Sequence, residues 1–279
     1  MDFTLPGRVA LGSADFSIAD DRDDDAAIAT IRAGVDAGIR VVDTARAYAT
    51  VDDESHSERL VARAVGDRDD VLIVTKGGHF RTGHRAWSVE NAPERLRRDV
   101  LLSRQNFGVD RLGLYYIHRA DDLAVPLTDG VEALAAMRTE GLVAAIGVSN
   151  VTVAQLEQLP AIRLDAVQNR LTPLDDDGRD VVTWCERHGV AFYAYSPLGG
   201  GAGAGGLTAA LPRLAEQAAA RRVSVQRLAL RGLLASSAAM SVIAGARRVE
   251  TARDSAAAES EPWDDELAAA YSADRAARA

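Results

Sequence analysis

Four side chains able to move a proton occur in apolar surroundings along this 279-residue chain. They are Asp43 and Tyr48 in VVDTARAY, Lys76 in VLIVTKGG and His118 in LGLYYIHRAD. A phenol titrates near ~10 and is a poor acid at neutral pH, but a neighbouring ammonium stabilises the phenolate and lowers that value. Tyr48 beside Lys76 is expected to be such a pair. Asp43 would hold the ammonium by a charge-assisted hydrogen bond, and His118 would orient a carbonyl oxygen or relay a proton. Lys76 is also the single lysine among 32 basic residues. A composition that replaces lysine by arginine wherever the two are equivalent leaves lysine where they are not, as in a tight pocket that needs a compact, tunable point charge. The structural alternatives are a helix cap for Asp43, a packed loop aromatic for Tyr48 and a satisfied core histidine for His118.

These residues need strands to bring them together. Short β-branched runs at 9–13, 41–44, 71–76, 112–118, 144–149, 166–169, 191–196 and 242–245 read as eight strands. Amphipathic stretches at 26–37, 89–102, 130–138, 153–159, 180–188 and 211–221 read as helices between them, with Ser88 and Thr152 as caps. Eight strands alternating with helices predict an α/β fold, a (β/α)8 TIM barrel, and no linker splits residues 1–279 into separate domains. A doubly wound sheet would need a glycine-rich turn after its first strand, where the chain has only LGSADF. In a barrel the C-terminal strand ends face the active site, so Asp43, Tyr48, Lys76 and His118 would converge on one mouth. The run GGGAGAGG at 199–206 reads as a flexible loop on that face, HFRTGHRAW at 79–87 as a rim loop bringing two arginines toward a polar or anionic substrate, and the tail from Pro262 as an extra helix anchored by Trp263 and Leu267.

DTA followed by Tyr, then TKGG, YYIH, GVSN, QNRL and YSPLGGG, in this order over residues 9–255, resembles the aldo/keto reductase superfamily. The resemblance implies NADPH-dependent reduction of an aldehyde or ketone, with Tyr48 as general acid, Lys76 and Asp43 as its electrostatic partners and His118 orienting the substrate. It further implies that Ser149, Asn150 and Gln168 meet the nicotinamide carboxamide, that Tyr195 stacks on the ring, and that Ser196, Leu198 and Gly199 follow the pyrophosphate. Residues from Gly245 through Arg247 and Arg248 to Ser255 would hold the adenosine end. The residue chemistry agrees: a primary amide is satisfied by neutral donors and acceptors, and paired arginines suit a 2′-phosphate, which favours NADPH over NADH. The chain departs from the family pattern at Ala49, Gly113, Ala120, Ala244 and Ser255, of which Ala244 and Ser255 bear on adenosine binding.

Composition narrows the remaining classes. A net charge of −9 and pI near 5.1 disfavour nucleic acid, and no apolar run is long enough for a membrane span. A lone Cys185, read as half-buried and inert, and the absence of a secretory signal point to the cytoplasm, and the histidines show no metal-ligand spacing. The expected partner is a small carbonyl compound, with no protein partner inferred. Two rival readings stand beside reduction: a Lys76 Schiff-base aldolase, and a non-catalytic NADPH-binding barrel that acts as a redox sensor.

Overall fold

The computed structural model describes residues 5–120 and 124–278. Its strands are β1 (Val9–Gly12), β2 (Val41–Asp43), β3 (Leu72–Gly77), β4 (His79–Gly83), β5 (Ala86–Val89), β6 (Leu112–Ile117), β7 (Val143–Ser149), β8 (Ala166–Arg170), β9 (Ala191–Tyr195) and β10 (Met240–Gly245). The helices are α1 (Asp15–Ile18), α2 (Asp24–Asp36), α3 (His56–Val65), α4 (Pro93–Phe107), α5 (Leu127–Thr139), α6 (Val153–Glu157), α7 (Arg179–His188), α8 (Gly200–Ala210), α9 (Pro212–Arg221), α10 (Val225–Ala235), α11 (Val249–Ala257) and α12 (Asp265–Ala276). Among the described residues eight parallel strands close a barrel in the order β1, β10, β9, β8, β7, β6, β3, β2, with helices around it. This is the (β/α)8 TIM barrel. No helix of the described residues is long and apolar enough to cross a membrane.

Alternation along each strand decides what fills the barrel. Ala10, Val41, Val74, Leu114, Tyr116, Ala145, Ala166, Tyr193 and Ile243 form one buried cluster inside it, while their neighbours in sequence, such as Leu11, Val42, Tyr115 and Val167, pack outward under the helices. Tyr116 spans the interior only because Gly147 faces it: a Cβ there would stand 2.4 Å from the tyrosine ring. Two residues beyond Val41, Val74, Tyr116 and Ala166, the same inward positions carry Asp43, Lys76, His118 and Gln168. The apolar interior is therefore the floor of a polar mouth.

Several sequence expectations are revised. Residues 199–206 are not a loop, because α8 begins at Gly200 and its far end is anchored by Leu207, buried with Leu211 and Leu214. Residues 79–87 belong to an antiparallel hairpin of β4 and β5. Ser88 lies in β5 opposite Phe80 rather than capping a helix, and α4 starts four residues after Val89, with Pro93 in its first turn. Thr152 does cap α6, in a reciprocal capping box with Gln155. The C-terminal helix α12 is anchored as expected by buried Leu267, with Trp263 edge-on to Tyr271. Cys185 is fully rather than half buried, and burial pushes its thiol up to about 12, so it is inert.

Candidate active site

The Lys76 ammonium, with no exposed surface, donates to Asp43 Oδ1 at 2.5 Å, to the Thr44 carbonyl at 2.9 Å and to Tyr48 Oη at 3.3 Å. An ammonium has three protons and no acceptor, so these bonds use all it has. The direction of the third is decisive: Tyr48 Oη accepts from Lys76, which leaves its own O–H to point elsewhere. Asp43 is held from the other side by Gln168, whose Nε2 donates to Oδ2 at 2.9 Å. His118 stands edge-on to Tyr48, with ring centroids 5.6 Å apart, and its Nδ1 is buried without a hydrogen-bond partner among the described residues.

Burial on its own would push the Lys76 ammonium down, but the Asp43 carboxylate and the Tyr48 phenol outweigh it and hold Lys76 above its ordinary value. Tyr48 corrects the sequence reading. Its largest influence is burial, which raises it; Asp43 adds to the rise, and the nearby ammonium opposes without prevailing, so the phenol ends above its ordinary value. It stays protonated at neutral pH. Burial, followed by the positive Lys76, pushes His118 well below the usual imidazole value, so it is neutral.

Behind this mouth lies a charged layer that sequence reading missed. Arg46, almost wholly buried, donates its backbone N–H to the Lys76 carbonyl, and its guanidinium bonds Ser55 and Glu58. Glu58 also accepts from Thr75, Ser103 and Asn106, and Asp99 accepts from the Gly78 amide, just past Lys76. The signal available in the sequence was a glutamate at position 58 on the apolar face of α3, three residues before Val61.

The residues assigned to a nicotinamide cofactor fall in two groups. Near Tyr48 and His118, Tyr195 donates to Asn150 Oδ1 at 2.7 Å, and Asn150 Nδ2 donates to the His118 carbonyl and to Ser149 Oγ. Asn150 thus ties Tyr195, Ser149 and the backbone of His118 to one another. Asn150 and Ser196 adopt positive φ of 58° and 48°, an unusual conformation for non-glycine residues. Leu198 is half-buried between two apolar clusters, and Gly199 follows it at φ 78°. At the other end, Gly245 closes β10 with open space where a Cβ would stand, Arg248 precedes the first turn of α11, and Ser255 is buried on that helix. Arg247 is not waiting open: it donates to the Asp21 carboxylate at 2.9 Å and to the Asp21 carbonyl at 3.2 Å. Neutral amide partners at one end, and two cations at a helix N-terminus at the other, fit a dinucleotide.

The sequence matches the Aldo/keto reductase family over residues 8–273. An uncharacterized oxidoreductase of Schizosaccharomyces pombe is 35% identical over 185 residues, 65% of this chain and 58% of that protein. An Escherichia coli protein named NADH-specific methylglyoxal reductase is 28% identical over 58% of this chain and 53% of its own. The chain spans about half the length of the curated relatives it matches. Among solved structures, a glycerol dehydrogenase of Gluconobacter oxydans superposes with a TM-score of 0.82 at 25% identity, covering 97% of this chain and 92% of that one. An aldo/keto reductase of Klebsiella pneumoniae in complex with NADP and acetate gives 0.81 at 25% identity, covering 95% and 90%.

Proposed function

The chain belongs to the aldo/keto reductase family, and we propose that it reduces an aldehyde or ketone to an alcohol with NADPH, the proton coming from Tyr48. The observation that carries this reading is the direction of the Lys76 to Tyr48 hydrogen bond, which leaves the phenol proton as the one available to a substrate oxygen. A bound dihydronicotinamide supplies the hydride. Tyr48 stays protonated until an alkoxide develops and then gives up its proton, since an alkoxide is far more basic than a phenolate. Lys76, held charged by Asp43, stabilises the phenolate left behind. Neutral His118, beside the phenol, can donate to the same carbonyl oxygen and fix its position.

Ser149, Asn150, Gln168 and Tyr195 would hold the nicotinamide end, Ser196, Leu198 and Gly199 the pyrophosphate, and Gly245, Arg247, Arg248 and Ser255 the adenosine end. The substrate is taken to be small. The arginines of the hairpin give no support for an anionic one, because Arg81 bonds the Ala49 carbonyl and Arg85 pairs with Asp20. A Schiff base at Lys76 is disfavoured, since a nucleophilic amine must be neutral and this one is paired and charged.

The test is cofactor oxidation across a carbonyl panel that includes methylglyoxal and 4-nitrobenzaldehyde. Tyr48→Phe should lower turnover by roughly 10² to 10⁴ with NADPH affinity nearly unchanged. Retention of more than about half the activity would remove Tyr48 from the donor role. NADPH binding with no turnover of any panel member would favour the redox-sensing reading.

A further inference from the structure

The hairpin of β4 and β5 leaves the barrel immediately after Lys76 and Gly77. Its register pairs His79 with Val89, Phe80 with Ser88 and Arg81 with Trp87. Cross-strand partners share a face and successive residues alternate, so His79, Arg81, Trp87 and Val89 lie on one face and Phe80 and Ser88 on the other. The first face meets the loop that carries Tyr48. Trp87 Nε1 donates to the Ala47 carbonyl at 3.0 Å, and Arg81 Nη1 donates to the Ala49 carbonyl at 2.7 Å. The backbone on either side of Tyr48 is thus held by one hairpin side chain each. Arg81 also bonds the Gly83 carbonyl and lies 5.5 Å from the centre of the Trp87 ring, which stiffens the pair. On the opposite face the Arg95 guanidinium covers Phe80 at 3.8 Å, and Arg95 is itself bonded to Asp99 on α4.

The loop needs such a hold. It leaves β2 without regular structure before α3; Arg46 fastens it on one side, through its N–H to the Lys76 carbonyl and its guanidinium to Ser55 and Glu58, but at Tyr48 the local backbone bond is only the turn from Tyr48 N to the Ala45 carbonyl. We infer that Arg81 and Trp87 are positioning residues for the proton donor, acting through the two carbonyls that flank Tyr48. The inference rests on the donor role proposed above. Misplacement of a reacting group by about 1 Å can lower a rate by about 10²-fold, so a clamp on both neighbours of Tyr48 is a rate determinant through the backbone it holds.

The experiment uses the full chain with NADPH and 4-nitrobenzaldehyde. Trp87→Phe keeps an aromatic ring and removes the N–H, while Arg81→Leu removes the fork. Each should lower kcat by roughly ten-fold and the double variant by up to about 10²-fold, with the NADPH dissociation constant from calorimetry within about two-fold of the parent. Arg81→Lys, which keeps one donor, should recover part of the loss. The effect must also vanish where there is no donor to place: in a Tyr48→Phe background the double variant should cost no further rate. Full kcat in the double variant beside a disabled Tyr48→Phe enzyme overturns the clamp alone, and so does an equal further loss in the Tyr48→Phe background. An active Tyr48→Phe enzyme overturns the donor assignment itself, and the clamp with it.

Discussion

Lys76 has three protons and three acceptors placed to take them, from Asp43, Thr44 and Tyr48, in a pocket with no solvent access. A guanidinium keeps the charge but spreads it over a planar fork that cannot meet all three from one point. Lys76→Arg should therefore lose turnover nearly as completely as Lys76→Met, although arginine serves at every other basic position of this protein. Turnover and thermal midpoint measured on both variants decide this, and an active, stable Lys76→Arg enzyme would contradict it. His118 makes a prediction of a different kind. Its folded value lies well below the ordinary ~6.5, so between the two the unfolded chain takes up a proton that the folded site refuses. Stability should be complete above about pH 6.5 and fall as the pH drops below it. His118→Asn should show a smaller loss of thermal midpoint from pH 7 to pH 5 than the parent, and identical curves would sink the assignment.

Among the elements, α8 is the one whose existence its own residues argue against. Gly200, Gly201, Gly203, Gly205 and Gly206 each weaken a helix, and what holds the segment is burial of Leu207, Leu211 and Leu214 at its far end together with the bond from Gln226 to the Ala204 carbonyl. Reading 199–206 as a loop follows propensity, and packing overrides it. Nothing lies within 4 Å of a Cβ built at Gly201, Gly205 or Gly206, whereas one at Gly203 would stand 2.5 Å from the Leu198 carbonyl. Alanine at each of the first three should stabilise by about 0.5–1 kcal/mol, and Gly203→Ala should destabilise. Urea midpoints of the four variants test the contrast. The hairpin escapes a reading of the sequence for a related reason: RTGHRA carries a strand, a bulge and a turn in too few residues for alternation to show, so its pairing is invisible there while the barrel strands, with their apolar runs, are plain.

At the scale of the whole molecule, contacts cross from one end of the chain to the other. Arg8 bonds the carbonyls of Leu234, Ser237 and Met240, and Glu259 accepts from the Arg8 and Val9 amides, so the closing pair of β1 and β10 is fastened from both sides. At the mouth, Asp21 reaches Arg247 while its neighbour Asp20 pairs with His84 and Arg85 at the hairpin tip. A 2′-phosphate bound at Arg247 would compete with the Asp21 carboxylate for the guanidinium. Exposed pairs of this sort are weak, so displacement is easy but measurable. Asp21→Asn should tighten NADPH by about two- to five-fold and leave NADH nearly unchanged, and Arg247→Leu should weaken NADPH selectively. Calorimetric titrations at low salt check both, and equal changes for the two cofactors would remove Arg247 from the phosphate site.

Eight short apolar, β-branched runs alternating with amphipathic helical stretches determined the barrel, and with it the strand ends on which Asp43, Lys76 and His118 converge, because runs and periods of this kind are local properties set by neighbours in sequence. The likeness to a family supplied roles for those positions. Only the tertiary structure decided how the roles are held. Gln168 on Asp43, Asp21 on Arg247, Arg46 on Glu58 and the hairpin on the Tyr48 loop join residues from 12 to 226 positions apart, whose meeting depends on how elements pack and not on any local pattern. The same holds for the acidity of Tyr48. Its neighbour Lys76 was legible and argued for a lowered value, but the net direction is set by how deeply the phenol is buried against how far the ammonium stands from it, and both are distances that exist only in the folded chain.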